Sequence, residues 1–512
     1  MPWGASFQLD EGARPASGLT DVAGGPAVHS SNAAQPSRLS CAKLWLRVQL
    51  DAFRFDPAGY VQALAWRARG LRVRSRNQLA ALAGRSPWAY RYWTACKEPQ
   101  LRRVSGSSQW TGDVRIVPVI DCRRGAEQLG ETLASLPPHC TPIVVGHDVG
   151  AAAISIGRLR DLTAVLPEGE SWICPIACGD RLAAGALQEY ARAATEADGA
   201  GIIYADDDLV DAQGLRREPH FKPDWNPELF QHHDFVTGAC ILRATPGQLE
   251  SLPDDGWAEA LVKIALGDSC AAGHLRHVLH HRRSRPDPVI PSKPAETVGA
   301  NAPSVTVIIP TRNATELLRT CIEGVERTQY PRFDIIIVDN DSDEPDSLTF
   351  LRELRNRGIT VLKSSGSFNF STLNNFAVAH AKGELLCFLN NDVEVIDPDW
   401  LALLVRRAMQ LDIGAVGARL LYPDGTVQHA GVFTGIGGGA AHGHRFQRAE
   451  DRGYFERARL PQRVSAVTAA CLVVAKEKFQ SVGGFDEESF AVAFNDVDLC
   501  LKLNEAGWQS LY

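Results

Sequence analysis

The chain has 512 residues, 45% of them hydrophobic and 22% charged, with a formal net charge of -7. That length allows two to four domains, the composition is that of a globular chain able to bury a core, and the charge balance offers no basic footprint for nucleic acid. No apolar run approaches the roughly 18 residues of a membrane span, and Met1 to Ser40 lacks the apolar core of a secretory signal.

Gly, Ala, Pro and Ser dominate residues 1–40, which predicts disorder there. The 12 cysteines are scattered without a CxxC pair. They read as reduced, mostly buried thiols of a cytoplasmic protein. From 41 to 110 the pattern turns helical: Leu44, Leu46, Val48, Leu50 and Phe53 include pairs three and four apart, and Leu79, Leu82 and Trp88 extend it. Arg67, Arg69, Arg72, Arg74 and Arg76 are interleaved. They form a basic surface for anionic lipid or a partner, or else a solvated helical face. Basic and apolar residues are not cleanly segregated, which favours the second reading.

Residues 111–285 carry a weak α/β pattern. Strands are expected at Arg115–Ile120, Thr141–Val145, Ser171–Ile176 and Gly201–Tyr204, and a helix at Ala183–Ala197. Asp206, Asp207 and Asp208 follow the last strand. They suit a metal site or, without further ligands nearby, a solvent-facing acidic turn. A Pro-rich linker covers 286–303.

Residues 304–512 are sharper. Val305–Ile309 is a buried strand stopped by Pro310, followed by an apolar helical stripe through Leu317, Leu318, Cys321, Ile322 and Val325. Asp334–Asp339 is a second strand, followed by a helix near Ser347–Arg357, a strand at Ile359–Leu362 and a helix across Ser371–Ala381. The apolar run Leu385–Leu389 then ends abruptly in Asn390-Asn391-Asp392. Beyond it, Asp397 can cap a helix beginning at Pro398. This alternation predicts a parallel sheet with right-handed crossovers, and its polar strand ends collect on one edge, where open α/β sheets bind ligands. One carboxylate beside carboxamides can hold a hard cation that stays on phosphate oxygens; the same residues can also close an ordinary Asx turn. No GxGxxG, GxxxxGK[ST] or GxSxG motif occurs in this region. The glycines of 435–439 read equally as a mobile loop by the site or as a connector, and His429, His442 and His444 as ligand-facing or structural.

In order and spacing the motifs of 304–512 resemble glycosyltransferase family 2 with the GT-A fold. They are Val307–Asn313, Ile337–Ser342, Asn374-Asn375, Ala381–Glu384, Leu389–Asp392, Gly483–Asp486 and Phe494–Cys500. The subgroup it looks like is the tandem-domain bacterial transferases of polysaccharide and O-antigen assembly, including rhamnosyltransferase-like proteins. The resemblance extends to 111–285 through Ile203–Asp208 and Phe221–Pro227. There the position of the family's DxD motif falls at Ala177-Cys178-Gly179, with Asp180 just after and Glu259 the one candidate for a later acid. The implied fold is two tandem GT-A domains, nucleotide-diphospho-sugar transferase and Rossmann-like, the first degenerate.

The resemblance implies transfer of a sugar from a nucleotide-diphosphate sugar to a saccharide or lipid-linked saccharide acceptor, inverting and dependent on Mn²⁺ or Mg²⁺. It places nucleotide-sugar binding on Pro310, Thr311, Asn313, Asp339, Asn340, Ser342, Asn375, Asn390 and Asn391, the metal on Asp392 and the acceptor-activating base on Asp496. It implies a cytoplasmic location, with peripheral association at the inner face of the plasma membrane left open. Family members continue past the Asp496 helix through a strand and a segment bearing a metal-shell His. The sequence stops at Trp508–Tyr512, which implies a fragment. The alternative is a catalytically silent scaffold that binds carbohydrate or a partner.

Overall fold

The structure is a computed structural model that describes residues 37–105, 114–166, 171–197, 199–267, 272–292, 299, 301–436 and 439–512. The chain divides into two compact units: a C-terminal unit of Pro227–His232 with Pro288–Tyr512, and an N-terminal unit of the residues through Asn226 with His233–Asp287.

The N-terminal unit opens with helices Arg38–Phe55, Pro57–Ala68, Arg72–Ala83, Ala89–Cys96 and Glu98–Ser105. Ser37 caps the first through Ser40 N, so helix begins ahead of the expected end of disorder at residue 40; residues 1–36 lie outside the described set. Asp56 caps the second, accepting from Gly59 N at 2.8 Å, with Pro57 at the first helical position. Of the apolar residues that signalled helix here, Val48 is buried, whereas Leu46, Leu50 and Phe53 are exposed. The reading of uniformly reduced thiols is corrected: Cys41 and Cys96 form a disulfide with Cα atoms 5.9 Å apart. Tyr90 and Trp93 pack with Phe221 and Val278, joining the helices to the sheet.

That sheet contains β1 (Ile116–Asp121), β2 (Ile143–Val145), β3 (Ile154–Ile156), β4 (Trp172–Ala177), β5 (Arg181–Leu182), β6 (Ile202–Val210), β7 (Arg216–His220), β8 (Cys240–Arg243) and β9 (Ala272–Arg282). Its order is β3-β2-β1-β4-β8-β6-β9-β5, with β7 on β6. β8 runs antiparallel to both neighbours, while β6 and β9 are parallel. The expected acidic turn at 206–208 is instead the middle of β6, buried throughout.

The C-terminal sheet is built from β10 (Val305–Thr311), β11 (Phe333–Asp339), β12 (Thr360–Lys363), β13 (Leu385–Leu389), β14 (Ile413–Gly417), β19 (Arg463–Val464), β20 (Cys471–Ala475) and β21 (Gln509–Leu511). The numbers between them belong to two small ribbons: β15 (Leu420–Leu421) with β16 (Val427–His429), and β17 (Val432–Thr434) with β18 (Ala440–His442). The order is β12-β11-β10-β13-β20-β14-β21-β19. Alternation along β10 sends Val305, Val307 and Ile309 into one core and Ile308 into the other. Both faces are thus covered, which is why these strands read as continuous apolar runs.

Pro310 does not stop its strand. The ladder to β11 continues to Thr311↔Asp339, whereas the ladder to β13 ends at Ile308↔Phe388. The missing Pro N–H faces the side where pairing has already ended, so it costs no ladder bond. The later helix begins at Trp400, two residues past the expected start, because Asp397 caps a turn through Asp399 N at 3.2 Å. β21 lies within the last five residues, parallel to β14.

Seven strands of the two sheets correspond in chain order, sheet order and direction: β1, β2, β3, β4, β6, β8 and β9 match β10, β11, β12, β13, β14, β20 and β21. Both units are mixed α/β folds consistent with the expected GT-A pattern.

Candidate functional site

The carboxyl ends of β10 and β13 open on a cleft of about 490 Å³. Pro310, Thr311, Asn390, Asn391, Asp392 and Asp496 all line it. Asn391 Nδ2 donates to Thr311 Oγ1 at 2.9 Å, tying the ends of two strands together across the floor. Asp392 sits in the turn after β13, exposed to the cleft. No hydrogen bond or ion pair to a described residue engages its carboxylate.

Asp496 enters the cleft from a different element. It is the second residue of the helix Asn495–Glu505, whose N-cap is Phe494. Phe494 makes no side-chain capping bond. The Asp496 carboxylate instead accepts Ala469 N at 3.2 Å and Val497 N at 2.9 Å. Phe494 has φ 63, in the left-handed region that bulky residues avoid at a cost of roughly 1–2 kcal/mol. Asn313, Ala314 and Asp341 share positive φ, so the loops at the strand ends concentrate backbone strain, a common mark of working sites.

The other expected contacts are used differently. Asp339 is buried and accepts Ser342 N at 3.0 Å, so the Asx turn considered for 390–392 forms here instead. Ser342 Oγ accepts Asn313 N at 2.8 Å, and Asn313 Oδ1 accepts the N–H groups of Asp343 and Glu344. Asn340 is buried with its amide donating to the carbonyls of Ser364 and Gly366. Asn375 binds the Phe485 carbonyl and Glu487, pinning its helix to the Gly483–Asp486 segment. None of these five lines the cleft.

Residues that the sequence did not single out do line it, among them Arg312, Phe368, Thr468, Val492 and Asn495. Arg312 lay inside a recognised motif and Asn495 beside Asp496, which is the signal that was available. Thr468 precedes β20, which reaches the site only because it pairs antiparallel with β13. Asn495 is buried, and its Nδ2 has no hydrogen-bond partner among the described residues.

His429, His442 and His444 lie outside the cleft lining. His429 and His442 meet Nδ1 to Nδ1 at 2.9 Å. Burial pushes His429 down to about 3 and His444 down to about 4. Burial also lowers His442, with Asp496 partly opposing. The glycine loop closes the β17–β18 hairpin, and its Gly437 and Gly438 lie outside the described residues.

The N-terminal unit has a larger cleft, about 530 Å³, at the corresponding strand ends. Its end-of-strand acid is spoken for: Asp121 takes two bonds from the Arg123 guanidinium, one from Arg123 N and one from Trp257 Nε1 at 3.0 Å. The β6 carboxylates face fixed cations. Asp207 meets Lys222 at 2.8 Å and also Arg285; burial alone would raise it, but Lys222, Arg285 and Arg282 hold it below its ordinary value. Asp208 binds Tyr90 and Arg216, and Asp206 accepts Lys222 N. The metal-site reading of 206–208 is therefore corrected, because Asp207 and Asp208 are ion-paired and Asp206 is taken up by Lys222 N and His274. Among the described residues no cluster of three or more His, Cys, Asp or Glu is arranged to hold a metal in either unit.

Residues 306–479 match the model of the family described as Glycosyl transferase family 2. An uncharacterised protein y4gI of Sinorhizobium fredii is 37% identical over 359 residues, covering 61% of this chain and 40% of that protein. The O-antigen biosynthesis protein RfbC of Myxococcus xanthus is 34% identical over 373 residues, covering 64% of this chain and 29% of that protein. The chain thus spans well under half the length of these relatives. Similar solved structures include a Pyrobaculum calidifontis mannosyltransferase with GDP-Man and Mn²⁺, at 18% identity and TM-score 0.31, covering 41% of this chain and 54% of that one. GalNAc-T7 with UDP, GalNAc and Mn²⁺ is also 18% identical at TM-score 0.32, covering 41% and 42%. The matched residues run from β10 past β20 and hold all of the cleft floor, so the C-terminal unit of this chain carries a family 2 glycosyl transferase domain.

Proposed function

We propose that the C-terminal unit transfers a sugar from a nucleotide-diphosphate sugar to a saccharide or lipid-linked saccharide hydroxyl, with inversion, in cell-surface polysaccharide assembly. One observation carries this reading: Asp392 and Asp496 enter a single cleft from different elements, at the strand ends of a family 2 domain. The relative described as an O-antigen biosynthesis protein supports the assembly role. The larger N-terminal cleft is not assigned this chemistry, because its strand-end acid is engaged by Arg123 and Trp257.

Asp496 accepts the proton of the acceptor hydroxyl as the new C–O bond forms. The bond from the sugar to the diphosphate breaks at the same carbon, and the diphosphate leaves with the electron pair. Thr311 and the side chains of Asn390 and Asn391 form the floor under the donor, and Asn495 Nδ2 supplies an unpaired donor beside Asp496. The uncompensated Asp392 carboxylate beside two neutral carboxamides fits Mn²⁺ or Mg²⁺ held chiefly through phosphate oxygens and water. When bound there, the cation offsets the charge gathering on the leaving diphosphate. The scaffold reading has its best support in the N-terminal unit, where the acids are internally paired. Incubation with a panel of nucleotide sugars and Mn²⁺, read by release of nucleoside diphosphate, tests the reading. No release and no transfer across the panel sinks it.

We also propose that the first helices rest on an anionic bilayer. Residues 38–76 hold nine Lys and Arg against two Asp, in a chain of net charge -7. All nine are exposed, alongside exposed Trp45, Leu46, Leu50, Phe53 and Phe55. That pairing of apolar and basic surface suits an anionic membrane interface. No helix among the described residues is long and apolar enough to cross a membrane. Flotation with vesicles containing phosphatidylglycerol is the test. Equal recovery with neutral vesicles, or no loss in W45S/L46S, removes this surface from the reading.

A further inference from the structure

The N-terminal cleft holds a group that the fold leaves unsatisfied. Arg282, the last residue of β9, lines the cleft and is 9% exposed. Its Nε is buried with no hydrogen-bond partner among the described residues. Its two carboxylate neighbours, Asp180 and Asp207, stand off at 3.8 Å. Asp207 is shared with Lys222 and Arg285, and the buried Asp180 and Asp207 both reach Arg282 at ion-pair distance and not at hydrogen-bond distance. A buried guanidinium N–H without a hydrogen bond is costly and calls for an acceptor.

Thr237 lines the same cleft. It is 6% exposed, and its Oγ1 is also buried without a partner among the described residues. Between them lies Gly238 at φ 81, where a Cβ would stand 2.6 Å from Arg282 Nη2. The missing side chain leaves the guanidinium room at the cleft. Glu127 and Glu259 lie elsewhere along the wall, while the nearby Asp255 is paired with Arg124 at 3.4 Å.

We propose that this cleft binds a phosphorylated saccharide, its phosphate on Arg282 and Thr237 and its hydroxyls toward Glu127 and Glu259. A guanidinium and a hydroxyl side by side match a tetrahedral oxyanion. Carboxylates are the natural acceptors for sugar hydroxyls. A cleft of about 530 Å³ holds a ligand of this size. In the C-terminal unit an open carboxylate suits a cation that in turn holds phosphate. Here a fixed side-chain cation occupies the corresponding edge of the sheet, so binding needs no metal. No bond is made or broken.

Calorimetry on the full chain in EDTA, with a hexose 1-phosphate as the probe, tests this. Working without metal and reading heat rather than turnover keeps the outcome separate from the transfer reaction. The expected result is a single saturable site, weakened roughly tenfold or more in both R282Q and T237V, as for loss of a charge-assisted or buried hydrogen bond. T237V leaves the buried charges in place, so it reports even if R282Q folds poorly. D392A keeps the site intact, and the free hexose binds far more weakly. Absence of saturable heat up to about 10 mM probe overturns the proposal. So does binding that D392A abolishes and T237V leaves unchanged.

Discussion

The two clefts sit on the same seven-strand frame and present opposite electrostatics. At the end of β10 is the neutral Thr311, and beyond β13 the open carboxylate of Asp392. At the end of β1 is Asp121, closed by Arg123, and beyond β4 come Cys178 and Gly179, with Arg282 unsatisfied nearby. The N-terminal unit also keeps its densest charge inside the sheet, where Asp207 is fully buried among cations. The C-terminal unit leaves its two key acids on the cleft. A frame thus does not decide chemistry; what decides it is whether an acid at a strand end finds a partner within its own fold.

The sharpest way to break this contrast is to remove the buried acid. Asp207→Asn leaves Lys222, Arg285 and Arg282 without their shared anion, and should cost about 3–5 kcal/mol of stability in the N-terminal unit. Turnover per folded molecule should hold. Denaturant melts with parallel activity assays check both; a stable D207N protein would mean the network is looser than its distances indicate.

The C-terminal acids should show the reverse, with large functional and small stability effects. Asp496→Asn should lower turnover roughly 100-fold or more, the usual range for a lost general base, with melting temperature and donor affinity nearly unchanged. Asp496 accepts the first-turn N–H of Val497, and Asn in its place keeps an amide oxygen for that bond, so loss of capping should stay small. Near-normal turnover in steady-state assays removes Asp496 from the mechanism. Asp392→Ala should weaken Mn²⁺-dependent binding of a nucleoside diphosphate by about 2–3 kcal/mol, as for one charge-assisted contact. Calorimetry with and without Mn²⁺ reads it, and an unchanged metal effect sinks the assignment.

The smallest effect is a pH dependence to which buried His429 contributes, alongside His444 in the same unit and His220, His233 and His280 in the N-terminal unit. Burial lowers His429 from an ordinary 6.5 to about 3 in the folded state. The unfolded chain therefore binds the extra proton first. The stability that His429 contributes is complete above about pH 6.5 and is lost as pH falls toward 3. Between pH 6.5 and 5 the loss should approach about 2 kcal/mol. His429→Gln should remove the share of that slope due to His429 and leave the share due to the other buried histidines, which melts of the two proteins across the window would show.

Much of the C-terminal unit was legible because its strands are buried on both faces. Leu385–Leu389 was read to the residue, since an apolar run flanked by amides and a carboxylate leaves little choice of ends. Pro310 misled, because whether a proline stops a strand depends on which neighbour its missing N–H would face. Asn340 and Asn375 were expected at the nucleotide, yet their amides are spent on backbone carbonyls that lie far along the chain. The first helices misled in the other direction: their apolar residues signalled a core, and many of them face outward.

What the sequence determined by itself was local. Apolar periodicity set the elements, strand-end polar residues marked the edge that carries the cleft, Asp392 stood out by its position after a strand, and Asp496 through the family resemblance. Tertiary structure alone decided which acids remain available. Asp206, Asp207 and Asp208 looked like a metal site from sequence because their partners, Tyr90, Lys222, His281 and Arg285, come from elsewhere in the chain. Pairing over such distances follows from the order of strands in the sheet, and no local pattern encodes it. A buried carboxylate is held ionised or left open by its neighbours in space, and those neighbours exist only once the sheet has formed.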